Sequence, residues 1–305
     1  MPKRISGERA CKEVGSRATC AGGTAFADSG SMIRVDLHLH SSYSHDGWAS
    51  PCEVVERAIA AGLDKIAITD HDEIAGALEA RSRYPGQVIV GEEINCGCGT
   101  HLIGLFLTER IVPGLSVEET AERIRDQGGV VYAPHPFAYA RRPAWHAEQA
   151  LAVADVVEGF NSRAFFPPWN RKASAAARQR VLPHLASSDA HFPWELGRAY
   201  TQMPSFSYAK GFLDSAPYCR SIGLRTGTPF VHVASVLIAQ VRRLTGWQPG
   251  KTRSSHTSQP AAANQRSVER QPPRAAAGGL DVQKRPIRPQ HRYLRTRNQA
   301  VKSQG

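Results

Sequence analysis

The stretch Arg34–Gly47, RVDLHLHSSYSHDG, packs three histidines and two aspartates into fourteen residues. Its first half alternates. Ile33, Val35, Leu37 and Leu39 share one parity, and Arg34, Asp36, His38 and His40 the other, which is the period-two pattern of a strand. Residues i and i+2 of a strand share a face, so His38 and His40 are expected to project side by side. Two imidazoles held that way can grip one metal ion. The plainer reading is a polar strand face whose histidines bond to their neighbours, and only the rest of the chain decides between the two.

Outward from this stretch, strand and helix patterns alternate. Ser50 and Glu53 read as a capping box, Pro51 sits in the first turn and Gly62 follows the end, so a helix is expected after the histidine-rich loop. Further strands are expected at Asp64–Thr69, Gln87–Ile94, His101–Leu107, Val130–Ala133, Asp155–Phe160 and Pro183–Asp189. Helices are expected between them over residues 73–84, 116–129, 144–153 and 170–182. Repeating β-α units imply an α/β fold on a parallel sheet, open or closed into a barrel.

Acids and histidines collect at the strand ends. His38 and His40 end the first strand, Asp70 and His71 the second, and Glu92 and Glu93 the third. His101 opens the fourth, His135 follows VVYA, and Asp189 and His191 follow LASS. In a parallel barrel these ends converge on one face, where active sites sit. Singly, His135 reads as a loop residue between prolines and Asp189 as a helix cap; together they read as a metal cluster.

Composition narrows the class. The 305 residues suffice for one large domain or two ordinary ones, and 41% are hydrophobic. The net charge of +11 is uneven: residues 32–203 carry 16 basic against 21 acidic side chains, residues 204–305 carry 17 against 3. The basic character therefore belongs to the end of the chain and does not mark the core as a nucleic-acid binder. Six cysteines form no Cys-x-x-Cys pair, which suits a reducing cytoplasm. No apolar run reaches the roughly 20 residues of a membrane span. Residues 1–31 read as a disordered extension, 32–205 as the folded α/β domain that carries the cluster, 206–250 as an associated helical segment, and 251–305 as a disordered basic tail. That tail is either a solvated appendage or a source of weak, sequence-independent phosphate contacts. GWQPGKT (246–252) lacks the spacing and the preceding strand of a phosphate loop.

DLHLHSSYSHDG, AITDHD, VGEEI, THLIGLFL, APHPF and SSDAH, in that order, resemble the successive motifs of the PHP (polymerase and histidinol phosphatase) family over residues 33–205, and LGRAYT resembles its stand-alone bacterial phosphoesterases. The resemblance implies a distorted (β/α)7 TIM-like barrel and up to three divalent ions, Mn, Zn or Fe. It assigns His38, His40, Glu93 and Asp189 to a first metal. Glu93 bridges to a second, completed by His101 and His135, and Asp46, His71 and His191 take a third. The family's Ser-Asp-Gly reads Ser44-His45-Asp46-Gly47 here, so His45 competes with Asp46, which keeps the place before glycine. Glu93, Asp189 and His191 are the implied catalytic groups. Asp36 and Asp70 are expected to fix imidazole tautomers, and Glu92 to be structural.

The implied activity is hydrolysis of phosphate esters by a hydroxide that the metals activate, with no side-chain nucleophile; a Ser187- or Ser188-based triad lacks the elbow sequence. Nucleotide phosphatase or 5′-3′ exonuclease action on short nucleic acids is the first reading. A histidinol-phosphatase-like metabolite phosphatase and a non-catalytic metal-binding module are the alternatives. Arg163 and Asn161, in FNSRAF, are candidates to bind a substrate phosphate; an ordinary surface role is the plainer reading of Arg163.

Overall fold

Alternating strands and helices resolve, in the computed structural model, into one sheet with helices packed on its outer face. Residues 31–138, 144–223 and 226–247 are described. The expectations for the N-terminal extension and for the tail after residue 250 fall outside them. Among the described residues the strands are β1 (Met32–Leu39), β2 (Lys65–Ile68), β3 (Val88–Asn95), β4 (His101–Leu105), β5 (Val130–Ala133), β6 (Val156–Asn161), β7 (His184–Ser187), β8 (Ala199–Pro204) and β9 (Arg220–Gly223). The helices are α1 (Pro51–Ala60), α2 (Ala75–Arg83), α3 (Val117–Asp126), α4 (Ala144–Val153), α5 (Pro167–Gln179), α6 (Ala209–Ser215) and α7 (Pro229–Leu244).

Local chemistry starts the helices as expected. Ser116 and Glu119 form a complete capping box at α3. At α1 only half of one forms: the Ser50 side chain accepts from the Glu53 N–H.

The sheet runs β7-β6-β5-β4-β3-β2-β1-β8-β9. It departs from a purely parallel arrangement at two strands: β4 lies antiparallel to both β3 and β5, and β8 antiparallel to both β1 and β9. The barrel is nearly closed. Leu39 makes a parallel bridge to Ala190, and the Thr201 hydroxyl both accepts from the Ala186 N–H at 2.9 Å and donates to its carbonyl at 3.0 Å. A threonine thus stands between β7 and β8 where a backbone ladder is missing.

Two apolar layers hold this shape. Outside, Ile66, Ile68, Val88 and Val90 pack against Val54, Val55 and Ala58 of α1, Ile124 of α3 and Ala177 of α5. Inside, Val35, Leu37, Ala67, Ile89, Ile103, Tyr132, Val156 and Leu185 fill the barrel, with Phe206, Phe212 and Ala216 packed among them. This plug leaves polar residues only at the other mouth, where most strands end.

Candidate metal centre

Strand direction and one irregularity place the polar side chains. The β1–β2 register shifts between Asp36 and Leu39. Before the shift Val35 and Leu37 join the inner apolar layer; after it Leu39 faces the outer layer. The simple alternation expected of β1 therefore breaks, and the break turns His38 and His40 toward the barrel axis, as a bulge does. A bridge between His71 and Glu93 carries the β2–β3 pairing into the mouth. Because β4 runs backwards, its first residue, His101, lies opposite Asn95 at the same level. His135 and Asp189 follow β5 and β7 with φ of 25° and 53°. Such left-handed backbone is uncommon outside glycine, and Asp and His tolerate it better than most residues.

Glu93 is the hub. Its Oε2 lies 3.2 Å from His38 Nε2, 3.3 Å from His40 Nε2 and 3.3 Å from His71 Nδ1. Its Oε1 lies 2.7 Å from His101 Nδ1 and 3.1 Å from His135 Nε2. The two oxygens thus serve two separate sets of imidazoles. Asp189 Oδ1 is 3.5 Å from His38 Nε2, 3.4 Å from His40 Nε2 and 3.5 Å from His191 Nδ1. Asp46 Oδ2 is 3.0 Å from His191 Nε2 and 3.7 Å from His71 Nε2. All nine residues expected to bind metal fall into overlapping groups whose donor atoms lie within 4.8 Å of one another.

Between His45 and Asp46, the geometry brings in Asp46, held by a 2.8 Å hydrogen bond from the Ser44 hydroxyl, and leaves His45 at the rim, 58% exposed. Gly47 closes this loop against the Ser41 backbone, where a Cβ would collide.

The supporting residues differ from those expected. Asp36 accepts from the Ser188 N–H, and Asp70 from the Ser41 N–H and hydroxyl, so both brace loops and neither hydrogen-bonds an imidazole. Glu158 does what was expected of them. Its Oε1 lies 3.0 Å from His38 Nδ1, and its Oε2 accepts from the His135 N–H and from Asn161 Nδ2. An acid inside the otherwise apolar run VVEGF (156–160) was the signal for it.

Asn161 also donates to Asp189 Oδ2 at 3.0 Å, while its Oδ1 accepts the Arg163 and Ala164 N–H groups. Its amide is thereby committed to orienting Asp189, and it does not line the cavity above the cluster. Arg163 does line that cavity, of about 350 Å³. It is no surface arginine: it is buried, donates to Glu195 Oε2 at 3.0 Å and to Ser235 Oγ at 2.9 Å, and so ties β6 to α7. Glu195 Oε2 in turn accepts the His191 N–H. Glu92 faces away, accepts from the Ile111 N–H, and is pushed up to about 7 by burial.

The electrostatics and one orphaned residue fit a bound cation. Burial opposes ionising Glu93, Asp189 and Asp46, yet the surrounding imidazoles outweigh it and hold all three well below the usual carboxylate range. Burial likewise opposes charge on His38, but Asp189, Glu158 and Glu93 raise it well above its ordinary value. His191 goes the other way, to about 4, through burial and the nearby charges of Arg163 and His40. His40 is fully buried with neither ring nitrogen hydrogen-bonded, although two carboxylate oxygens lie within 3.4 Å of its Nε2. An unsatisfied buried imidazole aimed at ionised carboxylates lacks only a cation. Imidazole and carboxylate donors without thiolate suit Zn²⁺, Mn²⁺ or Fe²⁺.

Comparison with known proteins agrees with the resemblance read from the motifs. A model of the PHP domain matches residues 36–113, and a PHP-associated model matches residues 167–216. An uncharacterized protein of Methanocaldococcus jannaschii is 35% identical over 184 residues, 58% of this chain and 73% of that protein. The chain belongs to the PHP family. A 5′-3′ exoribonuclease of Haemophilus influenzae is 32% identical over 136 residues, 43% of this PHP chain and 49% of the relative. Among solved structures, a two-domain protein from Bacteroides vulgatus containing a predicted PHP-like metal-dependent phosphoesterase matches with a TM-score of 0.54 at 17% identity, over 73% of this chain and 74% of that one. PsfC from Pseudomonas syringae matches with a TM-score of 0.51 at 18% identity, over 69% and 98%. At these identities the structural likenesses speak for the PHP fold.

Proposed function

We propose that this PHP chain is a metal-dependent phosphoesterase that acts on nucleotides or on the 5′ ends of short nucleic acids. The observation that carries the reading is the division of Glu93, with one oxygen toward His38, His40 and His71 and the other toward His101 and His135. A carboxylate so shared is placed to join two ion sites, and Asp46, His71 and His191 supply donors for a third. Divalent ions held by these residues would acidify a water and neutralise charge on phosphoryl oxygens.

The chain's own residues do the rest. Glu158 fixes which nitrogen of His38 faces the cluster, and Asn161 holds Asp189. Arg163 brings a fixed positive charge to the cavity wall, suited to a substrate phosphate. Its buried partner Glu195 stops the guanidinium swinging away. α7 covers part of the mouth through His232, Ser235 and Val236 and limits water there. Serine catalysis is disfavoured: the Ser187 hydroxyl is paired with Tyr132, and Ser188 does not line the cavity.

The test is a screen of Mn²⁺- or Zn²⁺-reconstituted protein against mononucleotides, 5′-phosphorylated oligonucleotides and sugar phosphates. Phosphate release from mononucleotides, or release of mononucleotides from the oligonucleotides, abolished by chelation, is the expected result. Preference for a sugar phosphate would instead support a metabolite phosphatase, and chelator-resistant or absent hydrolysis would overturn the proposal.

A further inference from the structure

Beside the metal cavity lies a second one, of about 480 Å³, walled by His45, Val236, Ala239, Arg242, Arg243 and Trp247. The two share His45, Val236 and Ala239, so they adjoin along the last turns of α7. The second is unlike the first in chemistry. It contains none of the nine metal-type donors, and its walls are an indole, an imidazole, two small apolar side chains, the Gln240 carboxamide and two guanidinium groups.

Arg242 organises it. Its Nη1 donates to the Ser44 carbonyl at 2.7 Å, pinning α7 to the loop that carries Asp46. Its guanidinium carbon lies 4.4 Å from the centre of the Trp247 ring. The indole is thereby held beside the cavity by a stacked cation, although it stands near the end of the helix. Arg243 is exposed on the same wall. Flat rings with adjacent cations form the combination that takes a nucleobase and the phosphate next to it; aromatic stacking is indifferent to base identity because every base has a π face.

We propose that this second cavity is the base subsite: a nucleoside phosphate places its phosphate over the nine-residue cluster and its base against Trp247, with Arg243 free to meet a further phosphate. This rests on the phosphoesterase reading above and narrows its substrate class. The chemistry is shared by a free mononucleotide and by the 5′ nucleotide of an oligonucleotide, and Arg243 is the residue that separates them.

The test compares adenosine 5′-monophosphate, ribose 5-phosphate and a 5′-phosphorylated dinucleotide on the full chain. Binding is measured by calorimetry and turnover as kcat/KM, for wild type, Trp247→Ala, Trp247→Phe and Arg243→Ala. The preference for adenosine 5′-monophosphate over ribose 5-phosphate is expected to fall about tenfold in Trp247→Ala, the scale of one lost base stack, and to be largely kept in Trp247→Phe. Arg243→Ala is expected to weaken the dinucleotide more than the mononucleotide. An unchanged preference in Trp247→Ala, or wild type that binds both small phosphates equally, overturns the subsite. Because binding is read separately from turnover, a chain that hydrolyses none of the three yet keeps the Trp247-dependent preference refutes the phosphoesterase reading and leaves the subsite standing.

Discussion

The rim of strand ends and the helix above it are held in contrasting ways. At the rim, His38, His40, Glu93 and Asp189 are almost entirely buried, and their positions are fixed through Glu158, Asn161 and the sheet itself. On α7, Val233, Val236, Leu237 and Val241 are each more than half exposed, and the anchors are few: Arg163 to Val231 and Ser235, His232 to the Arg163 carbonyl, and Arg242 to Ser44. The contrast suggests a division of labour. Ion binding needs donors fixed within a fraction of an ångström, which buried and mutually bonded residues provide. Selecting a substrate tolerates a lightly anchored wall, whose residues can change without dismantling the barrel.

If that division holds, changes at the rim should destroy chemistry and changes on α7 should shift selectivity. The largest effect is expected at β3. Glu93→Ala removes both arms of the hub and should cut turnover by more than the ~10–100-fold typical of a supporting residue. Glu92→Ala, one position away and facing outward, should leave turnover near wild type and cost about 1–3 kcal/mol of stability through the orphaned Ile111 N–H. Steady-state rates and chemical denaturation of the two variants check this, and the reverse order would mean that the strand's inner and outer faces are misassigned.

Next comes Glu158→Gln. It keeps size and shape but loses the charge beside His38, and should weaken metal binding about 10–100-fold without unfolding the protein, as read by competition with a chelating dye. Unchanged affinity would make Glu158 a structural acid only.

Arg163→Ala stands between the two regions. It strands Glu195 in a buried site, so a stability loss of about 3–5 kcal/mol is expected together with a raised KM. Ser235→Ala removes one hydrogen bond to the same arginine and should cost only about 0.5–1.5 kcal/mol. Equal losses in the two would show that the ion pair contributes little.

Much of the rim was legible in the sequence, because each of its motifs is local: His38-x-His40, Asp70-His71, Glu92-Glu93 and Asp189-x-His191 each lie at or just beyond the end of a short stretch that reads as a strand. Three features were not legible. The direction of β4 leaves no trace in periodicity, yet it explains why His101 opens its strand when the other donors lie near or beyond the ends of theirs. The irregularity in β1 leaves the written alternation intact while changing the face taken by the residues at its end. The seat of α7 is a tertiary fact: residues 229–244 show an ordinary helical pattern, and only packing brings Ser235 and Arg242 to Arg163 and Ser44. Asn161 and Asp36 stand in the region expected of them, and their side chains bond Glu158, Asp189 and the Ser188 N–H, contacts that position along a strand does not fix.

The central claim, that nine side chains form one multinuclear centre joined through Glu93, is tested most directly by counting ions. Protein stripped with chelator, reloaded with Mn²⁺ or Zn²⁺ and freed of excess should retain two to three ions per chain by elemental analysis, and the folded Glu93→Ala variant should retain at most one. Retention of no ion by the wild-type chain, or the same number by both proteins, would contradict it.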